Sequence, residues 1–284
     1  MRTILITVFC LIFTFQISYT QENSENKPEF GWKKSVISNL NLTQATFENW
    51  TAGGENTLAW QLNLNTDFTL DEEKYNWANK GKFNFGQTKV GDQDTRKSDD
   101  EINLESVLIY KFGLYINPFA SANFVTQFAK GYNYKAPTKI AISNFMDPGY
   151  VTLSAGVGYS PADYFKTRVG GAVKITSTKD FPVPYADDPK TLAIEKTKTE
   201  WGLTSVTDYK RKIHDNIIYA SKLELFSNLK AINEVDVRWD NLFSAKVTEY
   251  IAVGLNFQLF YDRDLSIKRQ LKEALTLSIT YSLL

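Results

Sequence analysis

Six charged residues at alternating positions of strand-like segments are the side chains of this sequence best placed to contact a polar solute. They carry both signs and stand near further charges: Lys166, Arg168, Lys174, Lys222, Glu224 and Arg238. Successive side chains of a strand point to opposite faces, so these charges can share one face while apolar residues occupy the other. Charges of both signs can line a narrow aqueous path and set its selectivity, or pair with one another and fill it. The sequence leaves both alternatives open.

The single histidine argues against hydrolytic chemistry. A serine nucleophile needs a histidine base within hydrogen-bond reach. His214 lies in a short polar turn between two strand-like segments, without an evident serine partner. We therefore expect a polar turn residue, no catalytic residues, and a protein that is not an enzyme.

Acidic residues cluster between positions 92 and 101, and carboxylate oxygens suit hard cations. The members of this cluster are Asp92, Asp94, Asp99, Asp100 and Glu101. Their spacing lacks the pattern of a helix–loop–helix calcium site, so we expect a solvated loop. We predict neither a metal site nor a cofactor.

The elements that would position these side chains are strands of alternating polarity. Nine segments carry an apolar face without a single Asp, Glu, Lys or Arg: 58–70, 102–112, 151–159, 165–175, 201–209, 217–225, 235–243, 251–261 and 274–284. A cationic side chain that faces lipid at mid-bilayer costs about 2–4 kcal/mol, which explains such a face. A soluble β-sandwich with one wet face is the alternative, and it is disfavoured because strands of this length exceed the usual five or six residues.

Three less regular segments, 34–46, 75–90 and 115–128, complete a set of twelve strands. Their connections alternate between short turns and longer polar loops, as an antiparallel membrane barrel requires. The longer loops, which we expect outside the cell, are 48–56, 91–100, 130–149, 179–196, 228–233 and 262–273. The predicted fold class is therefore all-β: a transmembrane, antiparallel, up-and-down β-barrel of about twelve strands.

The first residues resemble an export signal. Residues 1–20 carry one basic residue, an uncharged apolar run and small residues before Gln21, which predicts a cleaved signal peptide. A retained anchor helix is the alternative. We place a polar periplasmic lead at 21–33 and the outer-membrane barrel at 34–284. Removing the signal leaves no cysteine, because Cys10 lies within it.

The charge balance restricts the partners. Lys plus Arg and Asp plus Glu both number 32, so no global field would attract nucleic acid. We expect the bacterial cell outer membrane as the location. The expected partners are outer-membrane lipid, the machinery that inserts barrels, and a small polar solute.

A distinctive sequence spans residues 39–56, and it resembles the opening of a family of bacterial outer-membrane proteins catalogued as a domain of unknown function, number 3078. The matching positions are Asn41, Gln44, Phe47, Asn49, Trp50, Gly53, Gly54 and Asn56. The resemblance implies an exported membrane barrel, and the family supplies no established activity. The family's last residue is more often aromatic than Leu284.

The hairpin within this sequence has a physical interpretation of its own. Gly53 and Gly54 can supply the positive φ angles of a tight bend, and Trp50 can anchor at the membrane interface. A rigid first hairpin is the structural interpretation. A ligand contact by Asn49 and Trp50 is the alternative.

For function, the leading hypothesis is a non-enzymatic, porin-like barrel that passes or binds a small polar solute through a charge-lined lumen. The alternative is a closed structural or adhesin-like barrel. Such a barrel would bind a partner through its outer loops, chiefly 130–149 and 179–196.

Overall fold

The computed structural model describes residues 30–48, 51–134 and 138–283. The strands within these residues are β1 (Gly31–Ala45), β2 (Thr57–Asp71), β3 (Tyr75–Val90), β4 (Arg96–Tyr110), β5 (Ile116–Thr126), β6 (Gly131–Asn133), β7 (Ile140–Ser143), β8 (Gly149–Ala162), β9 (Phe165–Ser177), β10 (Thr197–His214), β11 (Ile217–Asn228), β12 (Val235–Lys246), β13 (Ile251–Tyr261) and β14 (Gln270–Ser282). A short helix, α1 (Pro182–Tyr185), lies between β9 and β10.

Twelve of the strands close into one antiparallel barrel. Their order around the barrel is β1, β14, β13, β12, β11, β10, β9, β8, β5, β4, β3, β2, and β2 pairs again with β1. The first and last strands join directly, with Asn41 opposite Ser278. This seam is short, because among the described residues it pairs only Ile37–Asn41 with Ser278–Ser282, and it closes the sheet, whose open edges lipid could not satisfy. The prediction of a twelve-stranded barrel is confirmed.

The outer wall is apolar because alternate residues of each strand point away from the lumen. On β14, Leu275 and Leu277 are 77% and 62% exposed, and Ile279 and Tyr281 lie on the same face. Large apolar side chains are similarly exposed on β2, β4, β8, β9 and β10. A belt of this kind is stable against acyl chains rather than water.

Most connections alternate in length as predicted, but the connection predicted as the long loop 91–100 has only five residues, 91–95, as many as the turn 111–115 at the other end. Turns of two to five residues join the strands at the end that holds the start of β1, which is the periplasmic end in this fold. The loops at the other end include 127–148, which contains the separate β6–β7 pair, and 178–196, which contains α1. The strand pair inside the first of these loops was not predicted.

Three of the acidic residues expected in a solvated loop lie in a strand instead. β4 begins at Arg96, so Asp99, Asp100 and Glu101 belong to it. Each is paired: Lys272 contacts Asp99, Lys97 contacts Asp100, and Arg238 contacts Glu101. The expectation of a solvated loop was wrong for these three residues, because strand β4 begins before them and cations from β4 itself, β12 and β14 pair with them.

Some predictions concern residues outside the described part of the chain. The signal peptide at 1–20 and most of the lead at 21–33 lie there, as do Asn49, Trp50 and Leu284. The last residues of the proposed lead, 31–33, form the start of β1. No helix among the described residues is long and apolar enough to cross a membrane.

Glycines permit two special features of the backbone. Gly53 and Gly54 have φ angles of 85° and 146°, a region that favours glycine, in the loop between β1 and β2. Gly156 and Gly170 face each other on β8 and β9. A Cβ on Gly156 would lie 2.2 Å from the carbonyl oxygen of Val169, so the two strands approach more closely than an alanine would allow.

Candidate functional site

Ion pairs cross the lumen of the barrel. Arg238 on β12 contacts Glu101 on β4, and these strands are six positions apart in either direction around the barrel. Glu105 lies four residues further along β4 on the same face, and its carboxylate accepts hydrogen bonds from Arg168 at 2.8 Å and from Lys222 at 3.0 Å. Because the partners come from distant strands, the contacts lie inside the barrel and connect its walls.

These contacts belong to one continuous network of alternating sign, which we call the ion network. Its members in order of contact are Asp208, Arg168, Glu105, Lys222, Glu224, Arg238, Glu101, Lys82 and Asp240. The guanidinium of Arg168 also lies 5.8 Å from the centre of the Phe119 ring. Charges taken out of water stay ionised when each has such partners, and removing one member leaves another uncompensated.

A second charged cluster lies closer to the outer end of the lumen. Lys174 contacts Asp236 at 2.8 Å and Asp262 at 3.3 Å, which joins β9 to β12 and to the end of β13. Lys198 contacts Glu200 at 3.1 Å nearby. The strands β9 to β12 therefore carry a wall that is charged and internally neutralised.

The six charges singled out in the sequence have two fates. Five of them, Arg168, Lys174, Lys222, Glu224 and Arg238, form ion pairs inside the barrel. Lys166 is exposed near the periplasmic end of β9 and forms no ion pair with any residue in the described ranges. The role of these residues as the walls of a solute path stays a prediction.

The opposite wall carries uncharged amides and hydroxyls. One row of directly opposed residues runs across β14, β1, β2, β3 and β4: Thr280, Asn39, Asn63, Asn84 and Glu101. A second row lies beside it on the same strands: Ser278, Asn41, Gln61, Gly86 and Asp99. Register places these side chains side by side, because residues opposed across antiparallel strands share a face.

These rows border a cavity of about 170 Å³, which we call the amide cavity. Its wall is completed from β12 and β13, with Asn256 and Gln258 on the latter. Some of the polar groups bind one another: Asn41 Nδ2 donates to Gln61 Oε1 at 3.1 Å, and Ser278 Oγ donates to Asn41 Oδ1 at 2.5 Å. Thr280 Oγ1 donates to Asn39 Oδ1 at 2.7 Å.

Other amides in this cavity have no partner. Among the residues that the structure describes, no side-chain hydrogen bond is formed by Asn63, Asn65, Asn84 or Asn256. The Asn63 Oδ1 atom is buried and does not reach the cavity, so Asn63 can offer a ligand only its Nδ2 group. Polar groups removed from bulk water are normally satisfied, so free amides facing a cavity indicate capacity for a ligand or for water.

A larger cavity of about 420 Å³ lies at the outer end of the lumen, and we call it the vestibule. Its wall includes Tyr150, Tyr185 and Phe260. The vestibule and the amide cavity share four lining residues: Asp99, Glu101, Gln258 and Lys272. We call these four residues and Arg238, which lines only the vestibule, the septum, because they lie where the two cavities adjoin.

Ion pairs and hydrogen bonds hold the septum together. Lys272 Nζ lies 2.5 Å from Asp99 Oδ1, and Gln61 donates to the other oxygen of Asp99. Gln258 Nε2 donates to Asp240 Oδ1 at 2.6 Å. The contacts of the septum are thus made by side chains rather than by backbone.

The outer loops form the roof of the vestibule. Asp147 is 2% exposed, and its carboxylate accepts hydrogen bonds from the backbone N–H groups of Lys179 at 2.9 Å and Asp180 at 2.7 Å. This contact ties loop 127–148 to loop 178–196 and places Tyr185 at the vestibule. Burial raises the pKa of the Tyr185 hydroxyl, and the nearby Asp147 carboxylate adds to the increase, so Tyr185 stays a neutral hydrogen-bonding group at physiological pH.

His214 is the last residue of β10 and lies beside the predicted turn. Its Nδ1 atom lies 2.9 Å from Asn216 Oδ1 in an exposed turn at the periplasmic end. Apart from Asn41, which was named for its family resemblance, the amides of the cavity were not predicted from the sequence. Their signal was available in the spacing of two between Asn39 and Asn41 and between Asn63 and Asn65, which places each pair on one face.

Comparison with known proteins gives one sequence match. The profile of a family described as "Protein of unknown function (DUF3078)" matches residues 42–132, from the end of β1 into β6. This match confirms the resemblance inferred from residues 39–56. A search of curated proteins found no match.

Solved structures of similar outline are bacterial barrels. The translocator domain of the autotransporter NalP from Neisseria meningitidis is 9% identical, with 89% of this chain and 88% of that chain covered and a TM-score of 0.39. An outer-membrane channel from Pseudomonas putida F1 is 12% identical, with 93% and 99% covered and a TM-score of 0.39. Likeness at this level carries no argument about what this chain does.

The location follows from the chain's own architecture. A closed antiparallel barrel with an apolar outer belt and a polar interior is the form in which β-strands span a bilayer, and bacterial outer membranes hold barrels of this kind. The protein is therefore an outer-membrane β-barrel of the bacterial cell, and its residues 42–132 are similar to the DUF3078 family profile.

Proposed function

We propose that this protein passes or binds a small polar solute inside its barrel. The observation that carries the proposal is the stacking of the vestibule on the amide cavity, with four lining residues in common. Barrels of eight strands are filled by side chains and those of sixteen or more are open, so twelve strands suit a narrow path beside a packed region.

The two halves of the lumen would have different tasks. The ion network and the Lys174 cluster fill the side formed by β9 to β12 and fix the shape of the wall. The solute would follow the other side, from the vestibule past the septum into the amide cavity. Of the six charges predicted as wall residues, Arg238 would act at the septum, and Lys166, Arg168, Lys174, Lys222 and Glu224 would shape the rest of the lumen.

The septum would be the gate of this path. Its charges contact one another in the present structure, so a solute can pass only by taking over some of those contacts. Lys272 is the natural residue to remove, because it is 45% exposed and bridges to Asp99 from β14. Arg238 is less suitable, because its loss would also disrupt the ion network.

Planar-bilayer recording of the refolded protein tests this proposal. We expect discrete current steps from the wild type and a conductance at least twofold higher from Lys272→Ala. Lys33→Ala is the matched control, because Lys33 bridges Asp71 at the periplasmic end, away from the septum. Absence of current steps from both the wild type and Lys272→Ala, together with absence of solute binding, would exclude the proposed function.

A closed barrel that binds a partner through its outer loops is the second candidate. The observation that favours it is the Asp147 contact, which orders two long loops on the outer surface. Cells that produce the wild type and cells that produce a variant with a shortened 186–195 segment should then differ in adhesion to a host or to one another. Equal adhesion of the two strains would argue against this candidate.

A further inference from the structure

We propose that the amide cavity binds an uncharged solute rich in hydroxyl groups, of the size of a monosaccharide. This inference rests on the proposed function and specifies the class of solute. It is carried by the chemistry of the cavity wall, the state of its charges, and its volume.

The cavity has no free charge to offer an ion. Its wall includes two acids and two bases, Asp99, Glu101, Lys82 and Lys272. Lys272 pairs with Asp99 at 2.5 Å, and Lys82 pairs with Glu101 at 3.0 Å. A charged solute would leave its hydration shell without gaining a counter-ion, which is costly in a confined site.

The uncharged groups match hydroxyls in both directions. An asparagine side chain offers two donors and a carbonyl acceptor, and a hydroxyl group both donates and accepts. Asn65, Asn84 and Asn256 have this capacity unused by the side chains in the described ranges, and Asn63 has an unused Nδ2 donor, because its Oδ1 atom is buried. Several such groups acting together would compensate a polyol for the water that it loses.

The layout of these groups suits a ring with several hydroxyls. Neighbouring residues across antiparallel strands are about 5 Å apart, and residues two positions apart along a strand are about 7 Å apart. Asn63 and Asn84 are opposed across β2 and β3, and Asn65 lies two residues from Asn63. A ring of about 5 Å width can therefore meet three amides at once.

Size and apolar content restrict the class further. A cavity of about 170 Å³ is suitable for a small molecule and not for a polymer. No aromatic residue of the described chain lines the cavity, and its apolar residues are Leu242, Ala252, Ala274 and Gly254. Stacking of a base or an aromatic solute is thereby disfavoured.

Uptake by proteoliposomes can separate this inference from the proposed function. The probes are glucose, glucosamine and glucuronate, which share one ring and differ in charge, and binding of each is measured in parallel by equilibrium dialysis. We expect glucose to enter or bind at least fivefold better than either charged sugar. If none of the three enters or binds, the proposed function and the inference both fail. If a charged sugar equals or exceeds glucose, the inference is overturned while the proposed function stands.

Two variants show whether the amide cavity is responsible. Asn65→Asp places a carboxylate in the cavity at a position that is exposed to the lumen. The ratio of glucosamine uptake or binding to glucuronate uptake or binding should therefore rise at least threefold. Asn63→Leu should reduce glucose uptake or binding at least fivefold. Asn123→Leu is the matched control, because Asn123 faces the lumen on β5 outside the cavity. This variant should leave the uptake or binding of glucose and the ratio of glucosamine to glucuronate unchanged. An unchanged charge preference in folded Asn65→Asp would refute the assignment of the cavity.

Discussion

Arg238 on β12 and Glu101 on β4 form an ion pair across the full width of the barrel. The two residues are 137 positions apart in the chain and stand on opposite walls. Their contact ties the charged half of the lumen to the edge of the amide half. It therefore serves both the stability of the barrel and the position of the septum.

Removing one partner of this pair should destabilise the barrel strongly. Glu101→Gln leaves Arg238 with weaker compensation inside the barrel, and loss of one partner of a buried pair costs about 3–5 kcal/mol. Arg238→Met should have an effect of similar size. Urea-induced unfolding in phospholipid vesicles measures both changes.

The double variant and a surface control make this prediction specific. The loss in free energy of unfolding for Glu101→Gln combined with Arg238→Met should be clearly smaller than the sum of the losses in the two single variants, because neither charge of the pair then remains without the other. Lys33→Ala removes an exposed pair with Asp71 and should cost about 0–1 kcal/mol. Additive losses in the double variant would show that the two residues do not interact.

The glycine pair on β8 and β9 should not tolerate alanine. A methyl group on Gly156 would lie 2.2 Å from the carbonyl oxygen of Val169, so Gly156→Ala must separate the two strands. This change should lower the free energy of unfolding by about 1–3 kcal/mol. Gly171→Ala is the control on the neighbouring strand, because a Cβ there meets nothing within 4 Å. Equal midpoints of unfolding for the two variants would contradict the close approach.

Loop 178–196 should loosen when Asp147 loses its charge. Asp147→Asn weakens hydrogen bonds to backbone N–H groups, and bonds to charged groups contribute about 1.5–3 kcal/mol each. We expect hydrogen exchange of the Lys179 and Asp180 amides to become at least tenfold faster. Asp180→Asn, which changes an exposed carboxylate in the same loop, should leave the exchange of Lys179 as it is. Protection retained in Asp147→Asn would mean that other contacts hold the loop.

The outer face should reject charge according to depth. Leu277→Arg on β14 places a cation among the acyl chains and should cost about 2–4 kcal/mol, whereas Tyr281→Arg lies near the end of the strand and should cost about 0–1 kcal/mol. Equilibrium folding into vesicles compares the two. A smaller loss for Leu277→Arg than for Tyr281→Arg would be incompatible with the proposed position in the membrane.

The barrel could be predicted from the sequence because the alternating polarity of each strand indicates which face meets lipid and which faces the lumen. The alternation of Leu275, Leu277 and Ile279 with Thr276 and Ser278 is a local signal, and it repeats around the barrel. Turn positions follow from the same periodicity, because they are the places where it stops. No knowledge of distant contacts is needed for either inference.

The site was harder to predict because its contacts are remote in sequence. Asp99, Asp100 and Glu101 read as a solvated loop until Lys272 and Arg238 are brought to them by closure of the barrel. Asparagines are uncommon in strands, and their value here comes from the register that aligns Asn39, Asn63 and Asn84 on three strands. A single strand does not reveal that row.

One measurement tests most directly whether a solute path continues beyond the septum. The chain has a single cysteine, Cys10, within the predicted signal peptide, so a cysteine can be placed alone in the lumen. The single-channel current of Asn65→Cys should fall when a small, positively charged methanethiosulfonate modifies the new thiol. The current of Ser154→Cys, whose side chain faces the lumen outside both cavities, should be unaffected. Currents of Asn65→Cys that ignore the reagent, or inserted protein that carries no current at all, would contradict the path described here.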